Sequence, residues 1–556
     1  MAFPFINRTA DKKNTLNPPI PLKTPAPQKT DEAAVPKPDN VAETTPFYLD
    51  LRPKIVPLPE LEDKKQINVR YPLIPPFAFA HIFWDDENKE LIYNVEEPVL
   101  SAAERELLEL VKIGLEEMIN ISFIRATKTN LLIKYLEQNI QSILTELGTK
   151  VSKETYDKIV YYIVRDSIGL DEVEPLMRDY YIEDIECNGD NFPIYIVHRK
   201  YANIRTNVEF MQRETLINFV EKLSQKAGRY VSYARPLLDG ALPDGSRVNA
   251  TYTDDVTTRG PTFTIRKFTR DPWSPIHLLR FKTVSAEALA FLWLSIENKA
   301  NIMFIGETAS GKTTFLNAIS QFIPPEARIC SIEDTRELNL AHINWLPAVT
   351  RAGFGLPTIL GTQYGEITLF DLLRETFRQA PDYVILGETR GEETYVLFQG
   401  MASGHPSFAT FHAASVETMV RRFETPPINL PASLVASLDI VIVVTHIKTP
   451  EKSYRRMKQF VEIIDVPPEI GRVNSNVLFQ WDPVKDSFAY LNRSAMLKKI
   501  SSRTGISERD LLIEVDRRAK ILSKMLENNI IEFADVAKII NAYYKDKESV
   551  LRYFGV

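Results

Sequence analysis

The chain has 556 residues, of which 44% are hydrophobic and 25% are charged, with two cysteines and a formal net charge of −6. This length predicts several packed domains, and the distant cysteines indicate neither a disulfide framework nor a zinc knuckle. The acidic balance argues against a broad basic face that follows a nucleic-acid backbone. The longest apolar stretches, residues 284–296 and 440–444, are too short to cross a bilayer, and the first has amphipathic spacing. We therefore expect a cytosolic protein.

The first half of the chain changes its pattern several times. Its start is rich in proline and poor in aliphatic residues, which is typical of a disordered tail. Alternating apolar residues around the turn at 85–88 then predict a β-hairpin, and apolar residues at three-to-four spacing predict the helices that follow it. The predicted parts are a disordered tail (1–46), a β-hairpin with a helical bundle (47–170), an α+β subdomain (171–270), a linker (271–282) and a C-terminal domain (283–556).

The C-terminal domain alternates short apolar strands with helical stretches. Such alternation predicts an α/β fold with a mostly parallel sheet that is covered on both faces. Residues 460–490 predict an antiparallel β appendage, and residues 506–554 predict three amphipathic helices. The predicted parallel strands are 302–305, 329–332, 383–386, 408–411 and 440–444.

One motif in this domain has a specific chemistry. The first strand opens into GETASGKT at residues 306–313, which matches the pattern G-x-x-x-x-G-K-T. In such a loop the backbone N–H groups turn toward a polyphosphate, Lys312 reaches the β- and γ-phosphates, and the Thr313 hydroxyl binds Mg²⁺ where a helix begins. The motif predicts a site for a nucleoside triphosphate with Mg²⁺. The residues expected to hold the nucleotide are Gly306, Glu307, Thr308, Ala309, Ser310, Gly311, Lys312, Thr313 and Thr314.

Three other predicted strands end in polar side chains. Glu333 and Asp334 follow the second strand, Glu388 follows the third, and His412 follows the fourth. Because the carboxyl ends of parallel strands meet at one edge of a sheet, we expect these groups to lie beside the loop, where acids hold Mg²⁺ and orient water. An acid at a single strand end can equally cap a helix, and a histidine can equally belong to the core or the surface.

Four runs of the sequence resemble one family. GETASGKT (306–313), IEDTREL (332–338), RQAPDYVILGETR (378–390) and GHPSFATFH (404–412) are similar to the Walker A, Asp, Walker B and His boxes of the secretion ATPase superfamily. These are the motors of type II and type IV secretion, of type IV pili and of the archaeal flagellum, or archaellum. The resemblance implies a RecA-like P-loop ATPase domain that follows an α+β N-terminal module. The runs YPLIPPFAF (71–79), NVEEP (94–98), IEDIECNG (182–189) and LPDGSR (242–247) resemble the archaeal branch, most of all its archaellum motor ATPases.

The resemblance also implies roles for single residues. It makes Glu333 the catalytic carboxylate that orients water, Glu388 the Walker B acid and a Mg²⁺ ligand, and His412 the histidine that senses the γ-phosphate. It further implies that N-terminal arginines reach the nucleotide, where guanidinium groups suit the charge on the γ-phosphoryl oxygens. The alternative is that these arginines form surface ion pairs. The candidates are Arg247, Arg259 and Arg266.

The function implied by the resemblance is that of a hexameric, Mg²⁺-dependent ATP hydrolase at the cytoplasmic face of the membrane. It powers assembly, and in the archaellum rotation, of a filament related to type IV pili. The implied partners are a polytopic membrane platform protein, a companion cytoplasmic ring protein and an anionic membrane surface. Two alternatives remain: a pilus or type II secretion ATPase without a rotary role, and a nucleic-acid-dependent motor. The acidic balance of the chain disfavours the latter, so no nucleic acid is expected.

Overall fold

The structure is a computed structural model that describes residues 47–51, 55–59, 63–118, 129–268, 272–351, 353, 364–448 and 453–556. The predicted tail, residues 1–46, lies outside the described residues. The chain divides into two units, residues 1–48 and residues 49–556, and every helix and strand named below belongs to the second unit. We call residues 47–268 the N-terminal region and residues 272–556 the C-terminal region.

The N-terminal region is built on one nine-stranded sheet with the order β1-β2-β3-β6-β5-β4-β9-β8-β7. The predicted hairpin is present as β1, β2 and β3, and β3 joins the other strands through a parallel pairing of Ile92 with Arg205. The hairpin and the α+β segment are therefore parts of one sheet, which local sequence patterns do not reveal. Its strands are β1 (Asn68–Ile74), β2 (Ala78–Asp85), β3 (Glu90–Glu96), β4 (Ile182–Cys187), β5 (Pro193–His198), β6 (Ala202–Glu209), β7 (Leu237–Ala241), β8 (Arg247–Thr251) and β9 (Thr262–Arg266).

Helices accompany this sheet where the apolar spacing predicts them. Val111, Leu115 and Ile140 are among the buried residues of the first two helices, and Ser152 caps the third by accepting a hydrogen bond from the N–H of Thr155. The helices are α1 (Ala102–Met118), α2 (Thr129–Glu146), α3 (Lys153–Ser167), α4 (Glu174–Arg178) and α5 (Arg213–Lys226).

The C-terminal region contains a second nine-stranded sheet with the order β12-β11-β13-β14-β10-β15-β16-β17-β18. Its neighbours from β12 to β15 pair in parallel, whereas β15 to β18 pair antiparallel. The predicted β appendage thus continues the main sheet. The strands are β10 (Ile302–Gly306), β11 (Ile329–Glu333), β12 (Trp345–Val349), β13 (Tyr383–Leu386), β14 (Ser407–Phe411), β15 (Ile440–Lys448), β16 (Ser453–Asp465), β17 (Asn474–Asp482) and β18 (Ser487–Tyr490).

Helices cover this sheet, so strands β10, β11, β13 and β14 are buried along their whole length. The alternation of strands and helices confirms the predicted α/β fold class with a mostly parallel sheet. The helices are α6 (Pro275–Arg280), α7 (Ala286–Glu297), α8 (Lys312–Ile319), α9 (Leu369–Arg378), α10 (Glu393–Ala402), α11 (Val416–Glu424), α12 (Ala432–Val435), α13 (Ala495–Thr504), α14 (Glu508–Glu527), α15 (Phe533–Lys545) and α16 (Lys547–Phe554).

Helix α7 corrects one prediction. Its sequence was expected to be amphipathic, but every residue from 288 to 296 is buried. Helix α14 packs along α7, and the Arg518 guanidinium of α14 lies 4.9 Å from the ring centroid of Trp293. A helix that is covered by the sheet and by other helices has no solvent face.

The predicted linker, residues 271–282, contains helix α6. Ser274 caps this helix by accepting a hydrogen bond from the N–H of His277. The buried Ser274 hydroxyl also donates to the carbonyl of Ile531 at 2.6 Å. The part of this segment from residue 272 onward is thereby attached to the C-terminal helices.

Candidate nucleotide site

The phosphate loop lies between β10 and α8 at the carboxyl edge of the parallel strands. A Cβ atom at Gly306 would lie 2.3 Å from the carbonyl oxygen of Val444 on the neighbouring strand, so no larger residue fits. Gly311 precedes α8 with a φ of 90°, which favours glycine. The chain passes from this loop directly into α8. The first-turn N–H groups of α8 have no partner within the helix and can bind an anion.

Lys312 is buried and held by the loop itself. Its ammonium donates to the carbonyl oxygens of Gly306 at 3.2 Å and Glu307 at 2.9 Å, and it lies 3.3 Å from Nδ1 of His412. Burial lowers the pKa of Lys312, and the carboxylate of Glu388 opposes this shift. The side chain is thus already at the loop where a phosphate would be bound.

His412 connects Lys312 to Glu388. Because the ammonium of Lys312 is a donor, Nδ1 of His412 is the acceptor, and the ring hydrogen belongs on Nε2. Nε2 lies 3.0 Å from Oε1 of Glu388. Burial, followed by the positive charge of Lys312, lowers the pKa of His412. The lowered pKa favours a neutral imidazole at pH 7, and although Nε2 is near Oε1 of Glu388, that oxygen makes no hydrogen bond within the described residues.

Glu388 also pairs with Arg390, a residue to which sequence reasoning assigned no role. The Nη2 atom of Arg390 is 2.5 Å from Oε2 of Glu388. Lys312, His412, Glu388 and Arg390 therefore form one chain of polar contacts across the ends of three strands. The sequence feature that could have identified Arg390 as a site residue is its place in the RQAPDYVILGETR run.

Glu333 ends β11 in an apolar setting and is only 2% exposed. Its Oε1 atom accepts hydrogen bonds from the N–H groups of Glu337 and Leu338, both at 3.0 Å. Its Oε2 atom has no hydrogen-bond partner among the described residues. Burial is the main cause that raises the pKa of Glu333 to about 7. A carboxylate with one free oxygen and this pKa is suited to accept a proton from water.

Two further arginines touch the site, and the sequence analysis missed both. Nε of Arg455, on β16, donates to the carbonyl of Ala309 at 3.1 Å, and its side chain packs against Gly311. Arg422, on α11, donates to the carbonyl of His412 and covers the ring of Phe411 at 4.6 Å. No motif indicates these contacts, because they come from segments that only the fold brings to the loop.

The three N-terminal arginines do not lie together. Arg247 and Arg266 are direct neighbours on β8 and β9, where they pair with Asp239 at 3.1 Å and with Asp184 at 3.0 Å respectively. The pKa of Arg266 is raised first by Asp184 and, less strongly, by the carboxylate of Glu337, whose N–H binds Glu333.

Arg259 occupies a different place. It lies before β9, whereas Arg266 is the last residue of that strand, so the two arginines belong to opposite ends of β9. The Arg259 guanidinium lies over the ring of Phe192 at 4.8 Å. The structure thus does not bring Arg259 to the edge that Arg247 and Arg266 share.

The residues present fit a nucleoside triphosphate with Mg²⁺. The glycine positions leave a narrow backbone cradle, and the Ser310 hydroxyl and Oε2 of Glu333 are buried polar atoms without a partner among the described residues. The N–H groups of the loop and Lys312 would hold the phosphates, and Thr313 and Glu388 would hold the metal. Within the described residues no cluster of three or more His, Cys, Asp or Glu could hold a metal alone. Mg²⁺ typically takes only one or two protein ligands beside substrate phosphates.

No helix in the described part of the chain is long and apolar enough to cross a membrane.

Comparisons with known proteins identify the family of the chain. The family described as Type II/IV secretion system protein matches residues 169–519, more than half of the 556-residue chain. An uncharacterized protein of Methanocaldococcus jannaschii is 37% identical over 509 residues, which cover 87% of this chain and 90% of that protein. The type IV secretion system protein PtlH of Bordetella pertussis is 33% identical over 246 residues, which cover 38% of this chain and 70% of PtlH.

A solved structure, the ATPase DotB of Legionella pneumophila, is similar over 67% of this chain and 94% of DotB, with 16% identity and a TM-score of 0.39. The family match alone spans the phosphate loop, Glu333, Glu388 and His412. The chain therefore belongs to the type II/IV secretion ATPase superfamily.

Proposed function

We propose that this chain hydrolyses MgATP at the phosphate loop. The observation that supports the proposal is that Glu333 and the loop of Lys312 lie at the carboxyl ends of strands in one parallel sheet, with one oxygen of Glu333 unpartnered among the described residues and its pKa raised to about 7. The free oxygen of Glu333 accepts a proton from the attacking water, while Lys312 binds the β- and γ-phosphates. When bound, Mg²⁺ neutralises charge on the phosphate oxygens.

To bind the phosphates, Lys312 must change its hydrogen-bond partners. It donates to the carbonyl oxygens of Gly306 and Glu307, and reaching a phosphate requires it to leave one or both. His412 then loses its cationic neighbour at 3.3 Å and keeps Glu388 at 3.0 Å. We infer that His412 reports whether Lys312 is on the phosphate, as expected of a sensing histidine.

The mechanical part of the proposal rests on family membership. We propose a homohexamer at the cytoplasmic face of the membrane that passes motion between its two regions to a polytopic platform protein. The archaeal sequence runs, and an archaeal relative that covers 87% of the chain, support the archaeal branch of the family, for which we propose assembly of a filament related to type IV pili. The archaellum, with rotation and a companion ring protein, is the specific form proposed, and a pilus or secretion ATPase without rotation is the alternative.

A turnover assay tests the proposal and separates it from a nucleic-acid motor. Phosphate release by the full chain is measured with ATP and Mg²⁺, with EDTA, and after addition of either DNA or vesicles that contain acidic lipids. We expect release that needs Mg²⁺ and that acidic vesicles, not DNA, increase. Stimulation by DNA alone would contradict the filament role, and no release above that of Lys312→Ala would contradict the ATPase assignment.

A cellular experiment addresses the filament. Loss of the gene is expected to remove a surface filament, and restoring the wild-type chain, but not Lys312→Ala, is expected to return it. Loss of swimming identifies an archaellum, whereas loss of attachment with normal swimming identifies a pilus. Cells with normal filaments of every kind would contradict the proposed process.

A further inference from the structure

A contact between the N-terminal and C-terminal regions lies beside Glu333, and it begins at Phe268. This residue follows β9 and is fixed to the turn before β8. Its N–H donates to the Ser246 hydroxyl at 3.1 Å. A Cβ at Gly245, where φ is +94°, would lie 3.1 Å from the Phe268 ring, so the ring lies directly on this glycine. The position of Phe268 is therefore tied to the strand end that carries Arg247.

Arg336, in the loop after β11, contacts the same ring. Its guanidinium carbon lies 5.7 Å from the ring centroid of Phe268 and 5.1 Å from that of Trp345 on β12. Trp345 is itself fixed, because its indole N–H donates to the Ser331 hydroxyl at 2.9 Å. Nε of Arg336 is buried and has no hydrogen-bond partner among the described residues. Two aromatic faces thus contact the guanidinium of Arg336, whose Nε makes no hydrogen bond among the described residues.

The residues after Arg336 hold the catalytic carboxylate. The N–H groups of Glu337 and Leu338 both donate to Oε1 of Glu333 at 3.0 Å. The next N–H, of Asn339, donates to the side chain of Asn317 on α8, the helix that follows the phosphate loop. A displacement of Arg336 therefore acts directly on the backbone that orients Glu333.

We propose that Phe268 and Arg336 form a clasp through which the N-terminal region positions Glu333 for hydrolysis. The inference rests on the proposed ATPase function, and it adds two positioning residues to it. When the N-terminal region carries Phe268 away, Arg336 loses one of its two aromatic faces and the Glu337–Leu338 backbone is freed. Hydrolysis is then favoured only while the two regions are docked in this arrangement.

Hydrogen–deuterium exchange tests the clasp without any turnover. The amides of Glu337 and Leu338 are followed in the full chain without nucleotide. In Phe268→Leu and in Arg336→Met they are expected to exchange at least about threefold faster than in the wild type, since each loses the cation–π contact. Phe268→Tyr keeps the ring and should exchange like the wild type. Unchanged exchange in both Phe268→Leu and Arg336→Met overturns the clasp.

A matched control removes a similar contact elsewhere. Arg374 lies over the Phe370 ring at 5.5 Å within α9, so Phe370→Leu loses a contact of the same kind and length. Exchange at Glu337 and Leu338 should stay at the wild-type rate in this variant. Equal acceleration by Phe370→Leu and Phe268→Leu would mean a general loosening and would overturn the specific role of Phe268.

Kinetics separate positioning from binding. Phe268→Leu is expected to lower kcat at least about threefold with the KM for ATP within twofold, whereas Phe268→Tyr restores kcat. In an Arg336→Met background, Phe268→Leu should have no further effect, because the pair acts as one unit. If the wild type releases no phosphate above Lys312→Ala, the ATPase proposal fails. If the wild type turns over and Phe268→Leu matches it in kcat, only the clasp fails.

Discussion

Two opposing influences act on the pKa of the Glu333 carboxylate. Its Oε1 atom is held by two backbone N–H groups, which favour the charged form, yet burial dominates and raises its pKa to about 7. The folded protein therefore binds a proton at Glu333 more tightly than the unfolded chain, whose carboxyl group titrates near 4.5. At neutral and alkaline pH the buried charge on Glu333 therefore lowers the stability of the folded protein. The same raised pKa makes Glu333 a base that titrates near physiological pH.

This cost predicts a pH-dependent effect of Glu333→Gln on stability. A raised carboxyl pKa gives a contribution that is fully present below pH 4.5 and is lost as the pH rises through about 7. At pH 8 the neutral amide should therefore raise the free energy of unfolding by on the order of 2 kcal/mol, and at pH 4.5 by much less. Thermal unfolding midpoints of both proteins without nucleotide, compared at the two pH values, measure this. An identical difference between the proteins at both pH values would contradict the burial of an ionised Glu333.

Residue by residue, the sequence predicted the site only where a strand pattern placed a side chain. Lys312, Glu333, Glu388 and His412 each lie at or after the end of a buried strand, and parallel strands bring such ends to one edge. Lys312, His412 and Glu388 contact one another in turn, and Glu333 ends β11 at the same edge. Their catalytic roles stay predictions. Arg455 comes from β16, whose contact with Ala309 depends on how far that strand extends past the loop. A local pattern carries no information about such a contact.

At the scale of elements, the C-terminal helices are attached through a buried arginine. Arg518 on α14 is 3% exposed, pairs with Glu514 at 3.0 Å and also with Glu297 on α7, and lies over the rings of Trp293 and Tyr543. These contacts join α7, α14 and α15 around a charge that has little access to water. A buried pair adds little net stability, but removing one partner leaves the other charge uncompensated.

The buried arginine gives a prediction with a matched control on the same helix. Arg518→Met should lower the free energy of unfolding of the C-terminal region by on the order of 2 kcal/mol, because it removes the pairs with Glu297 and Glu514, although Glu514 keeps its pair with Lys547. Lys520→Met removes an exposed pair with Asp516, also four residues apart, and should change it by less than about 0.5 kcal/mol. Denaturant unfolding followed by tryptophan fluorescence measures both. Equal effects of the two variants would contradict the role of Arg518.

Strands and helices were predicted correctly where the apolar spacing of the segment itself determines them. They were predicted wrongly where contacts with distant segments determine them. The parallel strands and the three last helices lie where apolar spacing predicts them. Strand β12 was missed, because WLPAV is half exposed and contains a proline, which suits only a sheet edge. Helix α7 was wrongly expected to be amphipathic. The helix that covers its second apolar face, α14, lies more than 200 residues later in the chain.

At the scale of the whole molecule, the position of Arg247 and Arg266 raises the question of whether, in the proposed ring, they act on nucleotide bound by their own subunit or by a neighbouring one. Both lie at the same end of the N-terminal sheet. The carboxylate of Glu337 of the same chain contributes to the raised pKa of Arg266. In a ring, an arginine can complete the site of its own chain or that of a neighbour. Phe268, two residues after Arg266, is the point at which this sheet contacts the loop of Glu333.

Mixing inactive variants distinguishes these arrangements. If the arginines act between subunits, Lys312→Ala chains and Arg266→Ala chains should each turn over slowly alone and should together regain a measurable part of the wild-type rate. The rate should also rise more than linearly with protein concentration as the ring assembles. Phosphate release from equimolar mixtures measures this. A mixture no faster than the mean of its parts places the arginines in their own subunit, and a fully active monomer would contradict the ring.

The central claim is that one site binds ATP through Lys312 and hydrolyses it through Glu333. The most direct test measures equilibrium binding of MgATP and single-turnover phosphate release side by side for the wild type, Lys312→Ala and Glu333→Gln. We predict that Lys312→Ala loses binding or turnover, whereas Glu333→Gln binds MgATP like the wild type and hydrolyses it at least roughly tenfold more slowly. Wild-type turnover in Lys312→Ala would contradict the site, and wild-type turnover in Glu333→Gln would contradict Glu333 as the catalytic carboxylate.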